Sequence, residues 1–287
     1  MKNQQASHTA QFAAYNRALG NLSPVVPGFS DPIAEQFLPK QWKKRIEKAR
    51  KRLPASPYPF WSRGMGVCHQ FRTAVLDNAI ESALPFSQLV ILGAGFDSRA
   101  WRLPGLEHTT VFEMDHPATQ ALKKREAQNR KTNAGQIRFT AMDFTTDHLP
   151  TRLDETGFKR NEKTFWLWEA VAMYLTPGEI AATLASIAGL STPESVIAFT
   201  YMGKRNGKVP RSIFLSLLGE PVRSGFDHSE ISELVHETGW TLVEDTGIEN
   251  WEHSLTPNLR LTRRDVGIQW NERVAVAAKR SLHRKDE

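Results

Sequence analysis

The sequence of 287 residues predicts an α/β protein in which a mostly parallel central sheet is flanked by helices and preceded by a helical N-terminal part. From Pro85 onward, apolar runs of strand length alternate with segments of helix-forming composition, and this order generates parallel strands joined by crossover helices. Residues 1–84 lack this alternation and consist of helix-like stretches separated by proline-rich loops. We therefore expect an N-terminal helical part, 1–84, and a sheet-containing part, 85–287, that form one compact unit.

Six segments of the second part have the length and apolar content of buried strands. In chain order they cover residues 87–95, 109–115, 136–143, 163–175, 194–202 and 240–245. The helix after the fourth segment has clear start and stop signals: Thr176 can cap it, Pro177 fits the first helical position, Glu179 completes a capping box, and Gly189 ends it. Residues 227–239 repeat this pattern with an aspartate cap, a glutamate three residues later and a terminal glycine.

Composition argues against several classes of function. The single cysteine, Cys68, cannot form an internal disulfide or a cysteine-based metal cluster, so we expect no metal and a reducing compartment, the cytoplasm. The N-terminus lacks the apolar segment of a targeting signal, and no run approaches the roughly 18 uninterrupted apolar residues of a membrane span. The formal charge of +6 is concentrated in residues 40–52 and 279–287, which we interpret as a solvated helix face and a frayed terminus because no nucleic-acid-binding signature accompanies them.

A glycine pair directly follows the first predicted strand. Gly93 and Gly95 let the backbone approach a ligand more closely than a side chain would allow, at the edge of the sheet where ligands of such folds bind. Ser98 replaces the third glycine of the dinucleotide-binding pattern, which argues against an NAD-dependent enzyme. Asp97 would repel a phosphate at this turn, so we expect a ligand without a pyrophosphate.

Acidic residues lie at the ends of the next predicted strands. Asp115 lies twenty residues after Gly95, a spacing typical of a carboxylate that accepts hydrogen bonds from ribose hydroxyls, and Glu113 on the same side of the strand is the alternative. After the third strand, Asp143 can accept a hydrogen bond from an adenine amino group and Phe144 can pack on the ring. Together these features predict a ligand that contains adenosine.

The residues above, in this order, resemble the class I methyltransferases that use S-adenosyl-L-methionine, and specifically the leucine carboxyl methyltransferase family with its bacterial polyketide O-methyltransferase-like members. The resemblance is carried by LGAGFDSRAWRL, FEMDHP, AMDF and WEAVAMYLTP, and in the first part by AAYNRAL, DPIAEQFLP and FRTAVLDNAI. It implies a Rossmann-like methyltransferase fold, an N-terminal helical cap over the cofactor, S-adenosyl-L-methionine as cofactor and a small-molecule acceptor. The oligomeric state stays open.

The resemblance also implies a contact for each motif residue. The glycine pair would face the amino-acid part of the cofactor. The aspartate at the end of the second strand would contact the ribose, and the two residues after the third strand would contact the adenine. These residues are Gly93, Gly95, Asp115, Asp143 and Phe144. Glu169, a charged residue within apolar sequence that needs a partner, corresponds to the family's acidic residue near the methionine end and the reaction centre. Arg72 matches the arginine that pairs with the cofactor's carboxylate, with Arg63 as the alternative.

The reaction implied by the resemblance is transfer of a methyl group to a carboxylate or hydroxyl of a small, largely apolar acceptor. Such a transfer requires alignment of nucleophile, methyl carbon and leaving sulfur, and only a hydroxyl acceptor would benefit from a general base. Tyr201 and Glu169 are the catalytic candidates, and Tyr174 and His253 are further acceptor-side candidates. Residues 203–226 mix arginine and lysine with apolar residues, which suits a surface that binds an apolar acid and equally a plain surface insertion with a packed helix.

Two other functions stay open at this point. The chain could bind S-adenosyl-L-methionine or its product without transferring a methyl group, with residues 40–52 serving a protein partner. It could also be a nicotinamide-dependent oxidoreductase, although Ser98 in place of the third glycine of the dinucleotide-binding pattern argues against this function. Turnover of an acceptor excludes the first function, and absence of NAD binding excludes the second.

Overall fold

The computed structural model describes residues 6–53, 56–58, 63–144, 146–209, 220–256 and 271–280. The helices in these ranges are α1 (His8–Leu22), α2 (Lys40–Arg50), α3 (Arg63–Ala83), α4 (Arg99–Arg102), α5 (Pro117–Ala127), α6 (Leu149–Glu155), α7 (Pro177–Gly189), α8 (His228–Glu237) and α9 (Ile248–Leu255). The strands are β1 (Gln88–Leu92), β2 (Thr110–Asp115), β3 (Gln136–Ala141), β4 (Thr164–Trp168), β5 (Val196–Met202), β6 (Trp240–Gly247) and β7 (Glu272–Lys279).

These strands form one sheet in the order β3-β2-β1-β4-β5-β7-β6. The first five strands are mutually parallel, whereas β7 runs antiparallel between β5 and β6. The predicted mostly parallel α/β fold is therefore confirmed. Both predicted capping boxes are also present, with Thr176 and Glu179 at the start of α7 and Asp227 and Glu230 at the start of α8.

Two features of the sheet differ from the sequence-based expectation. Residues 272–279, for which no strand is predicted, form β7 and fill the gap between β5 and β6. The fourth predicted run, 163–175, leaves the sheet after Trp168. The backbone N–H of Ala170 donates to the Thr200 hydroxyl at 2.8 Å, and Ala170 takes a positive φ of 56°, so the chain turns here instead of continuing the β4 ladder.

Helices cover both faces of the sheet. One apolar cluster joins α1, α2, α3, α5 and α9 to one face, and a second joins α6, α7 and α8 to the other. Side chains of β1 alternate between the clusters: Leu89 and Ile91 belong to the first, Val90 and Leu92 to the second. The helices of the N-terminal part thus pack on the same face as α5 and α9, and they share a core with the sheet.

A buried aspartate fastens the N-terminal part to the loop after β1. Asp31 is completely buried and accepts hydrogen bonds from Arg17 Nε at 2.9 Å and from the Ser98 hydroxyl at 2.8 Å. Arg17 also donates to the backbone carbonyl of Phe96 at 2.8 Å. Burial alone would raise the pKa of Asp31, but the nearby Arg102 and Arg17 outweigh it and hold the pKa below its usual value. These contacts fix α1 against the loop after β1, which carries Gly93 and Gly95 and is called the glycine loop below.

The basic segment 40–52 forms helix α2, whose apolar side packs inward. Trp42, Ile46 and Ala49 are buried, and the Trp42 ring lies 4.9 Å from the Tyr15 ring between centroids. Its basic residues lie on the opposite, exposed side, where Arg50 pairs with Glu35 at 2.6 Å. In the described part of the chain, no helix is both long and apolar enough to cross a membrane.

We predict that Asp31→Ala lowers the free energy of unfolding by about 3–5 kcal/mol, because it leaves the buried Arg17 and Arg102 without this carboxylate. Urea unfolding followed by circular dichroism measures the change. The control is Asp154→Ala, which breaks an exposed pair with Arg160 and should lower the free energy by less than about 1 kcal/mol. Equal effects of the two substitutions would contradict the anchoring role of Asp31.

Candidate functional site

The predicted site residues meet at the carboxyl ends of the parallel strands, where the strand order reverses between β1 and β4. Gly93 follows β1, Asp115 ends β2, Asp143 follows β3, and Glu169 follows β4. Such a reversal leaves a crevice outside the sheet, which is the usual binding site of open α/β folds. Arg72 reaches the same edge from α3, where it contacts Glu169.

Bare backbone is required at both glycines of the loop after β1. Gly93 and Gly95 have positive φ values of 67° and 47°, which side-chain-bearing residues rarely adopt. A Cβ atom at Gly93 would lie 2.5 Å from Val171 Cγ2, and one at Gly95 would lie 3.0 Å from Ala10 Cβ. Because Ala10 belongs to α1, the N-terminal helix lies directly over the glycine loop.

Asp115 is tied to this loop through its carboxylate. One oxygen accepts the backbone N–H of Gly95 at 2.5 Å and the other accepts that of His116 at 2.6 Å. Burial raises the pKa of Asp115, while the two backbone hydrogen bonds act in the opposite direction. Each carboxylate oxygen has a second lone pair, so the group can still accept hydrogen bonds from hydroxyls.

Glu113, the alternative to Asp115, lies deeper in the fold. Its carboxylate is 2.6 Å from the Lys123 ammonium, and both side chains are about 1% exposed. The same ammonium lies 5.2 Å from the Trp101 ring centroid. Burial raises the pKa of Glu113 to about 7, against the attraction of Lys123. Of the two acidic residues on β2, only Asp115 contacts the glycine loop.

Six charged side chains form a buried charge cluster beside the glycine loop. They are Arg72, Asp77, Asp97, Arg99, Glu169 and Glu272. Glu169 lies at its centre and accepts hydrogen bonds from Arg72 Nε at 2.7 Å and Arg99 Nη1 at 2.8 Å. Arg72 Nη1 also donates to both oxygens of Glu272 at 2.9 Å, and Arg99 contacts Asp77 and Asp97. The cluster joins α3, the loop after β1, α4, the loop after β4 and β7.

The cluster fixes the charge of Glu169. Burial alone would raise the pKa of this carboxyl, but Arg72 and Arg99 outweigh burial and hold the pKa well below its usual value. Glu169 is therefore ionised throughout the neutral pH range. An ionised carboxylate that accepts hydrogen bonds from two arginines suits recognition of a cation better than it suits proton transfer.

The turn after β3 lies beside Asp115. The backbone N–H of Met142 donates to the carbonyl of Asp115 at 2.9 Å, and the N–H of Asp143 donates to the Asp147 carboxylate at 3.0 Å. The Phe144 side chain is one of few exposed large apolar residues in the described ranges, at 38%. The turn thus presents an aromatic ring and a carboxylate at the same edge as Asp115.

Tyr201 and Tyr174 have different surroundings. Tyr201 is buried in the cluster under α7 and α8, on the face of the sheet opposite to α3, and its hydroxyl contacts Asp245 at 2.8 Å and Arg273 Nε at 3.0 Å. These contacts favour a packing role. Tyr174 lies near the charge cluster: burial raises its pKa, and the carboxylates of Glu220 and Glu272 raise it further.

Other predicted residues lie away from the charge cluster. His253 lines a cavity of about 840 Å³ between α3, α9 and the strands β5, β6 and β7, which the glycine loop does not line. Arg63 is exposed at the start of α3. In segment 203–226, Arg223 pairs with Glu179 at 3.3 Å, whereas residues 210–219, including the predicted Arg211, lie outside the described residues.

Several residues described above have no role assigned from the sequence, and one of them is Asp77 in the motif FRTAVLDNAI. Arg99 lies in the motif LGAGFDSRAWRL but was given no role, and Asp31 lies in the motif DPIAEQFLP. A charged residue that follows a ligand-binding turn is a detectable signal in the case of Arg99. Glu272 lies in no motif, and only the pairing of β7 with β5 brings it to Arg72.

A family model and several relatives match the chain. Residues 10–188 match the family model of leucine carboxyl methyltransferases. The "Putative S-adenosyl-L-methionine-dependent methyltransferase YktD" of Bacillus subtilis (strain 168) is 36% identical over 234 residues, which cover 78% of this chain and 73% of that protein. A relative of the same general name from Mycolicibacterium gilvum is 30% identical over 202 residues, 68% of this chain and 65% of the relative.

Solved structures share the fold at low sequence identity. A protein from Thermobifida fusca YX has a TM-score of 0.56 at 12% identity and covers 98% of this chain and 97% of its own. A DUF574 family protein from Streptomyces avermitilis has a TM-score of 0.55 at 13% identity, covering 96% and 98%. The fold and the matches define the chain as an S-adenosyl-L-methionine-dependent methyltransferase with a Rossmann-like fold. Within that class it belongs to the leucine carboxyl methyltransferase family.

We predict that Glu169→Gln lowers the free energy of unfolding by about 1–3 kcal/mol at neutral pH, because Arg72 and Arg99 lose a charged acceptor but keep their other partners. The folded-state pKa of Glu169 lies below its ordinary value of 4.5, so its contribution is fully present above about pH 4.5 and is lost as the pH falls through the folded-state pKa.

The difference between wild type and Glu169→Gln should therefore stay constant from about pH 8 to pH 6 and shrink only in acid. Urea unfolding at a series of pH values measures it. Glu244→Gln, at an exposed position of β6, is the control and should leave stability unchanged. A difference that already shrinks between pH 8 and pH 6 would mean that Glu169 titrates near neutrality.

Proposed function

We propose that this methyltransferase transfers the methyl group of S-adenosyl-L-methionine to a carboxylate or hydroxyl of a small, largely apolar acceptor. The observation that carries the binding mode is the pair of Arg72 and Glu169, whose opposite charges lie 2.7 Å apart next to the glycine loop. The amino-acid end of the cofactor carries an ammonium and a carboxylate. Adjacent positive and negative side chains at this edge complement such a zwitterion.

The charge cluster supports a specific arrangement at that end. Among the described residues, Arg72 Nη2 donates no hydrogen bond, since the contacts of this side chain run through Nε and Nη1. This group would therefore receive the cofactor's carboxylate. Glu169, which stays ionised, would accept from the ammonium, and the backbone of the loop with Gly93 and Gly95 would lie against the chain that joins the two groups.

The nucleoside end would lie towards β2 and β3. Asp115 would accept hydrogen bonds from the ribose hydroxyls with the lone pairs that its backbone contacts leave. Asp143 would accept from the adenine amino group, and the exposed ring of Phe144 would pack on the base. The hydrogen bond between the turn and the Asp115 carbonyl keeps these residues at a fixed distance from one another.

The cofactor supplies a methyl group on a sulfonium sulfur, and the protein's part is alignment and exclusion of water. Helix α1 supports that role, because Ala10 covers Gly95 and the Thr9 hydroxyl donates to Glu220 at 2.5 Å. We therefore assign residues 1–84 as the cap over the cofactor, which also contributes Arg72 to the site, and 85–287 as the methyltransferase part. The single cysteine, Cys68, supports the cytoplasm as the location.

On the acceptor side, we assign Tyr174 in preference to Tyr201. The raised pKa of Tyr174 keeps its phenol protonated at neutral pH, so it can donate a hydrogen bond to an acceptor oxygen. Tyr201 would stabilise β5 through Asp245 instead of touching the acceptor. A carboxylate acceptor is already ionised at neutral pH, so it needs no general base, and the ionised Glu169 is not required to act as one.

We predict that the purified protein binds S-adenosyl-L-methionine and S-adenosylhomocysteine with micromolar affinity and does not bind NAD. Asp115→Ala should weaken binding of both by about hundredfold, because it removes the ribose acceptor and a contact of the glycine loop. Isothermal titration calorimetry measures the affinities, and thermal melting verifies that the variant folds. Asp154→Ala, at an exposed position, serves as the control. Unchanged affinity in folded Asp115→Ala would overturn the ribose assignment.

The acceptor is tested by turnover with a panel of apolar acids, phenols, alcohols and amines. Methyl esters release methanol in mild base, whereas methyl ethers do not, so base treatment of the product tells carboxylate from hydroxyl acceptors. We expect a base-labile or base-stable O-methyl product with at least one member of the panel. Methylation only at nitrogen or carbon would contradict the O-methyl assignment.

A further inference from the structure

Glu272 is a buried glutamate from the far end of the chain that contacts the cofactor-site arginine. It is the first residue of β7 and lies 200 positions after Arg72, beyond the segment 10–188 that matches the family model. Both of its carboxylate oxygens accept hydrogen bonds from Arg72 Nη1 at 2.9 Å. The two side chains are only 3% and 4% exposed, so water screens this ion pair little.

Because of these ion pairs, one nitrogen of the Arg72 guanidinium, Nη2, is left to donate a hydrogen bond to a ligand. Its Nε donates to Glu169 and its Nη1 to Glu272, while Nη2 has no acceptor within the described part of the chain. A guanidinium is planar and rigid, so fixing two of its nitrogens determines where the third one points. The two glutamates therefore hold Nη2 in one orientation.

The backbone around Glu272 is itself rigid. Glu272 pairs with Met202 at the carboxyl end of β5, and the neighbouring Asn271 carbonyl accepts the Gly203 N–H at 2.7 Å. A side chain on a paired central strand varies less in position than one on a loop. Antiparallel insertion of β7 is what brings its first residue to the edge where the site lies.

We propose that Glu272 is a positioning residue that aims Arg72 Nη2 at the carboxylate of S-adenosyl-L-methionine, and that it thereby makes the enzyme selective for cofactors that carry this carboxylate. The proposal rests on the proposed binding mode of Arg72. Without Glu272, the guanidinium is free to turn and pair with Glu169 through two nitrogens. That rotation would withdraw the Nη2 donor from the cofactor's carboxylate.

The test compares two probes, S-adenosyl-L-methionine and decarboxylated S-adenosyl-L-methionine, which lacks only the carboxylate. Calorimetry gives the affinity of each probe for wild type, Glu272→Gln, Arg72→Lys and the control Glu244→Gln. We expect Glu272→Gln to weaken binding of the complete cofactor about tenfold and to leave binding of the decarboxylated probe unchanged. Glu244→Gln should match wild type with both probes. Because the two probes are compared on the same variant, partial unfolding would weaken both equally.

A second variant separates position from charge. Glu272→Asp keeps the negative charge but shortens the side chain, so it should also weaken binding of the complete cofactor selectively. If Glu272 acted only through its charge, Glu272→Asp would resemble wild type, and Glu272→Gln would weaken the more cationic decarboxylated probe at least as much as the complete cofactor. Either result overturns the positioning role.

Arg72→Lys separates this proposal from the proposed function. Lysine lacks the planar fork, so we expect this variant to weaken binding of the complete cofactor by about tenfold or more. If Arg72→Lys has that effect and Glu272→Gln has none, the cofactor site stands and the role of Glu272 is wrong. If neither variant changes the affinity although wild type binds, the assignment of Arg72 to the carboxylate is itself wrong.

Discussion

The ion pairs of Glu169 with Arg72 and Arg99 are the interaction on which the site depends. All three side chains are removed from water, with side-chain exposures between 3% and 12%, and an unpaired ion in such surroundings costs several kcal/mol. Each of these charges therefore has to be paired in the packed structure. Since the three residues come from α3, the loop after β4 and α4, this requirement fixes those elements against one another at the edge of the sheet.

Such a cluster adds little net stability, because removing charged groups from water costs free energy and apolar side chains of similar volume often stabilise a protein as well or better. The proposed cofactor binding would account for this cluster, because a preformed pattern of positive and negative groups need not reorganise when a zwitterion binds. In the proposed site, Glu272 does not touch the ligand but orients Arg72, which does. The same cluster then supports both the packing of β7 and the proposed selectivity for the cofactor.

The two acidic residues of β2 illustrate how depth decides the role of a side chain. Glu113 and Asp115 point to the same side of the strand, yet Glu113 is enclosed with Lys123, whereas Asp115 reaches the glycine loop. A shift of two residues, about 7 Å along a strand, separates a buried ion pair from a potential ligand contact. Helix α1 and Asp31 contact the same loop through Gly95 and Ser98, so the N-terminal part also packs against it.

The parallel α/β order, both capping boxes, the glycine turn and the acidic residues at the ends of the strands were predictable from the chain, because each depends on contacts between near neighbours or on one residue per strand end. The insertion of β7, the pairing of Arg72 with Glu272, and the different surroundings of Tyr174 and Tyr201 become visible in the folded protein and not before. The reason is physical: these features depend on burial and on ion pairs between residues far apart in the chain, and no local pattern of apolar or turn residues encodes such partners.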